Sequence, residues 1–222
     1  MGKPKALVLF CGIPLICRGL KRLSGIADQL IITSNHVESL EFLCSGVTRG
    51  DLELYADVYN MRGALSGLYT ALYYAKQASV AVVACDMVFP SASLLKAEHE
   101  VLLSTEADLV VPKTTHGYEP FHAVYRRETC LPLIKDALDK GEIRATSWYD
   151  KAQVVEFTLD DVLAADPRGG SFVNVNTPEE LRHIEERILT GEMTEISGWD
   201  EHYYTHDPSL CKPGYSCGYL EV

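Results

Sequence analysis

Short apolar runs alternate with stretches of helical periodicity along most of this chain. Leu30–Thr33 (LIIT), residues 80–84 (VAVVA) and residues 109–111 (LVV) are continuous and rich in β-branched side chains. Strands covered on both faces, as in parallel sheets, read this way. Between them the spacing predicts helices over residues 14–23, 37–44, 66–76 and 94–103; in the third, Leu68, Ala71, Leu72 and Ala75 share one face. Strand, helix and strand in repeated order predict an α/β fold. The sheet is expected to be doubly wound, mostly parallel and Rossmann-like, with helices on both faces and a short antiparallel part.

After Pro112 the rhythm changes. His116-Gly117 is a turn signal, and residues 121–125 (FHAVY) alternate like an exposed or antiparallel strand. A helix is expected over residues 131–140, a strand over Val154–Phe157, and a loop over residues 166–170 (DPRGG). A marked helix start follows at residues 176–180 (NTPEE). Thr177 suits the N-cap, Pro178 the first helical position, and Glu180 closes a capping box. That helix runs through Ile184 and Ile188. From Thr190 the periodicity is lost, so the pattern predicts one domain over residues 1–189 and a polar, aromatic tail over 190–222.

Composition narrows the picture. A chain of 222 residues buries a full core in one domain. Its net charge of −11 argues against a nucleic-acid or anionic-membrane partner, because such partners need a basic surface that displaces counterions. The seven cysteines have no framework spacing, and several sit in apolar runs, as free thiols do in a reducing compartment. The N-terminus lacks a signal-peptide pattern, and no stretch approaches the roughly 18 apolar residues of a spanning helix. The expectation is a cytoplasmic protein.

Candidate chemistry clusters at strand ends. Asp86 follows the run ending Val83-Ala84-Cys85, where ligands of open α/β sheets sit. A carboxylate there can ligate Mg²⁺ together with substrate phosphates, or simply cap a turn. Gly63-Ala64-Leu65-Ser66-Gly67 opens a helix, and its glycines allow close approach of a ligand to free N–H groups; a plain turn explains the motif equally. Asp57 can accept from a base amide or be solvated. Lys3 and Lys5 offer a point charge for a triphosphate or are merely terminal. Arg144 can clamp phosphate bidentately or pair with a neighbouring carboxylate. Asn174 and Asn176 point to one side if extended, although Asn176 also begins the turn into the capped helix. His202, His206, Cys211 and Cys217 raise a zinc reading, but their spacing matches no familiar site.

Taken in order, the pieces resemble the molybdenum cofactor guanylyltransferases of the GT-A-like nucleotidyltransferase class. The matching text is MGKPKAL at residues 1–7, GIPL at 12–15, GALSGLYTAL at 63–72 and ACDM at 84–87. It continues with EPFHAVYR at 119–126 and FVNVNTPEEL at 172–181, covering the chain to about residue 189. The resemblance implies that Lys5 contacts nucleotide phosphates and that Asp86 is a Mg²⁺ ligand. It implies that Asn35, Asp57, Gly63 and Gly67 lie on the guanine side, and Arg144, Asn174 and Asn176 on the cofactor side. The implied reaction is attack by the terminal phosphate of molybdopterin on the α-phosphorus of GTP, with release of pyrophosphate. GTP and molybdopterin are the implied partners, with transient contact to molybdoenzyme maturation proteins.

One departure is large. The family opens with a strand and a glycine-rich phosphate loop of the form LAGGxSxRMG, and this sequence starts at the closing Met-Gly. Either Met1 is an internal methionine or the loop has been lost; the missing strand would lie in the middle of the sheet. Pro4 and Val88 are smaller departures. Two other functions stay open: a nucleotidyltransferase using CTP or a sugar or alcohol phosphate, and a non-catalytic nucleotide-binding protein. A dinucleotide dehydrogenase is disfavoured, because no GxGxxG follows a strand.

Overall fold

The computed structural model describes residues 5–45, 52–61, 63–167, 170–175 and 177–190. The zinc candidates of the tail, together with Lys3 and Asn176, lie outside the described residues.

After a short 3-10 turn at Lys5–Leu7, β1 (Leu9–Phe10) and β2 (Ile13–Pro14) form a small hairpin. Its two loop residues, Cys11 and Gly12, both have positive φ, as a twist-matched hairpin turn requires. Helix α1 (Leu15–Leu23) follows and buries Leu15, Ile16 and Leu20. Strand β3 (Leu30–Thr33) then pairs in parallel with β4 (Leu52–Tyr55), from Leu30 opposite Leu52 to Thr33 opposite Tyr55. Between them the helix expected over residues 37–44 is replaced by two 3-10 turns, Val37–Ser39 and Glu41–Ser45. Leu40 and Leu43, both buried, are three residues apart, which suits a three-residue turn better than an α-helical stripe.

The larger sheet has β5 (Ser79–Val83), β8 (His122–Arg126), β6 (Leu109–Thr114) and β9 (Val154–Phe157) in that order, with the short β7 (Gly117–Tyr118) beside the end of β6. Strand β9 is parallel to β6, whereas β8 is antiparallel to both neighbours, so the sheet is mixed. The strand within the FHAVY segment, from His122, is therefore antiparallel, and His122 to Tyr125 are buried because they are clamped between β5 and β6.

Helices cover both faces. Ala123 and Tyr125 point toward α2 (Ala64–Tyr74) and α4 (Arg127–Asp139), while Val124 points toward α3 (Ala92–Ser104) and α5 (Leu159–Ala165). This is the period-2 alternation of a strand buried on both sides. Helix α6 (Pro178–Leu189) begins with the expected capping box between Thr177 and Glu180. Among the described residues no helix is long and apolar enough to cross a membrane.

Helix α2 fixes the direction of β5. At one end of the helix the Lys76 N–H donates to Gln29 Oε1 at 2.8 Å, just before β3. At the other end a Cβ on Gly67 would lie 3.8 Å from Thr33 Oγ1, at the end of β3. Because α2 runs back along β3, β5 returns in the same direction as β3. Thr33 and Asp86 thus mark the same, carboxyl, end of the two sheets.

Candidate functional site

The chain beyond β5 is held by an antiparallel partner. Val88 N–H donates to the Val173 carbonyl at 3.1 Å, Val175 N–H donates to the Asp86 carbonyl at 3.2 Å, and Met87 bridges Asn174. Val175 is buried with Phe10, Val88 and Phe89, which anchors this pairing. Alternation then puts Asn174 on the opposite side, toward the cleft that Asp86 also lines.

Lys5 Nζ lies 3.4 Å from Asp86 Oδ2, with both side chains partly exposed. The ammonium and carboxylate neutralise each other while remaining open to solvent and ligand. Among the described residues there is no group of three His, Cys, Asp or Glu side chains that could hold a metal alone. A lone lip carboxylate still fits Mg²⁺, which keeps waters and takes one or two carboxylates with substrate phosphates.

Across the opening, Asp57 accepts from Asn35 Nδ2 at 3.1 Å. Its half-buried carboxyl is pushed above the usual range by desolvation, an effect opposed by hydrogen bonds from Asn35 and Thr70. Asp57 is thus a half-buried carboxylate paired with Asn35 rather than a fully solvated one.

Gly63 starts α2 with φ of 157°, and a Cβ there would meet Ile143 Cβ at 2.8 Å. The Ile143 carbonyl also accepts from Leu65 N–H at 3.3 Å. The helix start and the turn carrying Arg144 are thus locked together. Gly67 meets no such obstacle, since its single neighbour within 4 Å is Thr33.

A cleft of about 940 Å³ joins these groups, and Asp57, Gly63, Gly67, Asp86 and Asn174 all line it. Asn35 reaches the site through Asp57, and Lys5 through Asp86. Arg144 is exposed on the adjoining turn and does not line the cleft; its carbonyl accepts from Ser147 N–H at 3.1 Å.

The cleft also includes Glu119 and His99, which sequence reasoning left out. Burial pushes the Glu119 carboxyl up, partly offset by the Thr114 hydroxyl that donates to it at 3.3 Å. The available signal was its place at the head of the EPFHAVYR phrase.

Known proteins resemble this chain in sequence and fold. Residues 1–155 match the model of the MobA-like NTP transferase domain. The chain is 29% identical to the molybdenum cofactor guanylyltransferase of Desulfosudis oleivorans, over 87% of this chain and 91% of that protein. It is 28% identical to the probable molybdenum cofactor guanylyltransferase of Natronomonas pharaonis, over 83% of this chain and 89% of that one. Among solved structures, molybdopterin-guanine dinucleotide biosynthesis protein A of Archaeoglobus fulgidus superposes with a TM-score of 0.72 at 25% identity, covering 85% of this chain and 92% of that one. The 2-C-methyl-D-erythritol 4-phosphate cytidylyltransferase of Thermus thermophilus shares the fold, with a TM-score of 0.57 at 14% identity over 84% and 94% of the two chains. With a family match over more than half its length and a sheet end arranged as described, the chain belongs to the MobA-like NTP transferase family.

Proposed function

We propose that this protein transfers GMP from GTP to molybdopterin, forming the guanine dinucleotide form of the cofactor and releasing pyrophosphate. The observation that carries this reading is one cleft lined by Asp57, Gly63, Gly67, Asp86 and Asn174, in a chain whose relatives are named as guanylyltransferases for this cofactor.

In the reaction an oxygen of the molybdopterin phosphate bonds to the α-phosphorus of GTP, and the bond to the β-phosphate oxygen breaks. No covalent enzyme intermediate is needed, so the protein positions the reactants and stabilises charge. Asp86 would hold a Mg²⁺ ion, whose chemistry is to neutralise the phosphate oxygens as pyrophosphate leaves. Lys5, released from Asp86 to the phosphates, supplies a second positive charge at the same lip. Asn35 holds Asp57 in place, and the Asp57 carboxylate accepts from the amide and amino donors of guanine. The Gly63–Gly67 helix start lets the base approach the backbone. Asn174, Asn176 and Arg144 bind the molybdopterin side, and a cytoplasmic location suits both substrates.

A pyrophosphate-release assay with molybdopterin and either GTP or CTP tests this assignment. GTP-dependent release that is Mg²⁺-dependent and exceeds that with CTP is expected. A preference for CTP would transfer the protein to the cytidylyl alternative, and nucleotide binding without release would favour the non-catalytic one.

A further inference from the structure

Three carboxylates line the cleft at the end where Asp86 lies, and the proposed reaction employs two of them. Asp57 follows β4, Asp86 follows β5, and Glu119 lies in the turn that enters β8. Because β8 is antiparallel to β5, that turn sits at the carboxyl end of β5. Strand β4 pairs with β3 and β8 pairs with β5, and both β3 and β5 line the cleft. Asp57 and Glu119 therefore flank the cleft from opposite sides, with Asp86 between them.

The backbone around Glu119 is held firmly. Its N–H donates to the Pro112 carbonyl at 2.9 Å, and its carbonyl accepts from His122 N–H at 3.0 Å. The Tyr125 hydroxyl donates to the Pro120 carbonyl at 2.6 Å, and Ala84 N–H donates to the Phe121 carbonyl at 2.9 Å. The carboxyl group, by contrast, is short of donors. Among the described residues its hydrogen-bond donor is the Thr114 hydroxyl, at 3.3 Å. That hydroxyl has a single proton, and the Gly117 carbonyl competes for it at the same distance of 3.3 Å. A half-buried carboxylate with a share in one proton is poorly satisfied, and burial pushes its pKa up.

We propose that Glu119 is a specificity-determining residue that accepts hydrogen bonds from the pterin ring of the acceptor substrate. This deepens the assigned transfer to molybdopterin and rests on it. The 2-amino-4-oxo edge of a pterin presents a ring N–H beside an amino group, the same donor pair that guanine presents. A carboxylate accepts both donors at once in a bidentate, charge-assisted contact. With guanine at Asp57 and the reacting phosphates at Asp86, the pterin takes the remaining side of the cleft. Pro120 and Phe121 line the cleft next to Glu119 and offer apolar surface to a flat ring. One cleft then reads two similar ring edges, each with its own carboxylate. A purely structural Glu119, closing the turn through Thr114, needs an oxygen acceptor but no charge. The two roles are therefore separable.

The test is calorimetric binding of 6-hydroxymethylpterin phosphate to the 222-residue chain, without GTP and without turnover. Its lumazine counterpart, with an oxo group in place of the 2-amino group, is measured beside it. The wild type is expected to bind the pterin phosphate at least about tenfold more tightly than the lumazine phosphate. Glu119→Gln should lose that preference at an unchanged melting temperature. Its amide oxygen still accepts from Thr114, but its N–H groups oppose the pterin amino group. Thr114→Val, which keeps the carboxylate, should retain the preference. Equal affinities for the two probes in the wild type, or binding of neither, would overturn the proposal, and these readings need no variant to fold. A preference that survives in Glu119→Gln, or is lost equally in Thr114→Val, would overturn it too. GTP-dependent pyrophosphate release with molybdopterin, alongside any of those results, removes Glu119 and leaves the transfer reaction standing. Absence of both probe binding and pyrophosphate release removes both.

Discussion

Lys5 Nζ and Asp86 Oδ2 are 3.4 Å apart although 81 positions separate them in the chain. The contact joins the start of the described chain to the carboxyl end of β5, and both side chains remain partly exposed. Such an exposed pair contributes little to stability. Its significance is chemical, because it places a cation and a carboxylate together where the cleft opens.

The two glycines of the α2 start should respond differently to alanine. Gly63→Ala forces a Cβ to 2.8 Å from Ile143 and imposes a φ that L residues avoid. A loss of about 1–3 kcal/mol is expected in urea unfolding. Gly67→Ala has room and should gain up to about 1 kcal/mol from helix propensity. If the base packs here, the same variant raises the KM for GTP; stabilisation with an unchanged KM would remove Gly67 from the nucleotide site.

A buried pair predicts the pH dependence of stability. Ser91 N–H donates to His122 Nε2 at 3.1 Å, so the proton sits on Nδ1, which faces Glu98 Oε1 at 3.4 Å. Both side chains are fully buried, and although the spacing is that of an ion pair, desolvation favours neutral forms. Burial pushes Glu98 up to about 9 and His122 down to about 4. A raised carboxyl pKa means that stability is lost as pH rises from about 4.5 toward 9. A lowered imidazole pKa means that it is lost as pH falls from about 6.5 toward 4. Melting temperatures from pH 4 to 9 should fall at both ends, and Glu98→Gln should flatten the alkaline side. An unchanged alkaline slope in that variant would show that Glu98 is not the titrating group.

Much of the frame was legible because its signals are local. LIIT became β3 with the same limits, VVEF became β9, and the Thr177-Pro178-Glu180 start produced the capped α6. What escaped depends on partners. Strand β4 carries Glu53 in the midst of four residues, and its strand character comes from pairing with β3 and from Gln29 and Lys76 holding that carboxylate. Helix α5 has its own capping box, Thr158 and Asp161, a local signal that follows directly on the strand VVEF without a turn residue between them. For the site, the residue types at strand ends were readable. The partial burial of Asp57 and its bond to Asn35 were not, because they require β3 and β4 side by side.

Arg144 is exposed on the turn beside Gly63. Arg144→Ala should change stability by no more than about 0.5 kcal/mol. It should raise the KM for molybdopterin and leave GTP affinity unchanged. Parallel losses for both substrates in steady-state kinetics would place it on the nucleotide side instead.

The central claim is that Asp86 anchors the divalent cation through which an acidic protein grips a triphosphate. Calorimetric titration of GTP with and without Mg²⁺, into the wild-type protein and into Asp86→Ala, addresses it most directly. The account predicts that Mg²⁺ tightens GTP binding at least about tenfold in the wild type and has no effect in the variant. An equal Mg²⁺ enhancement in Asp86→Ala would contradict it.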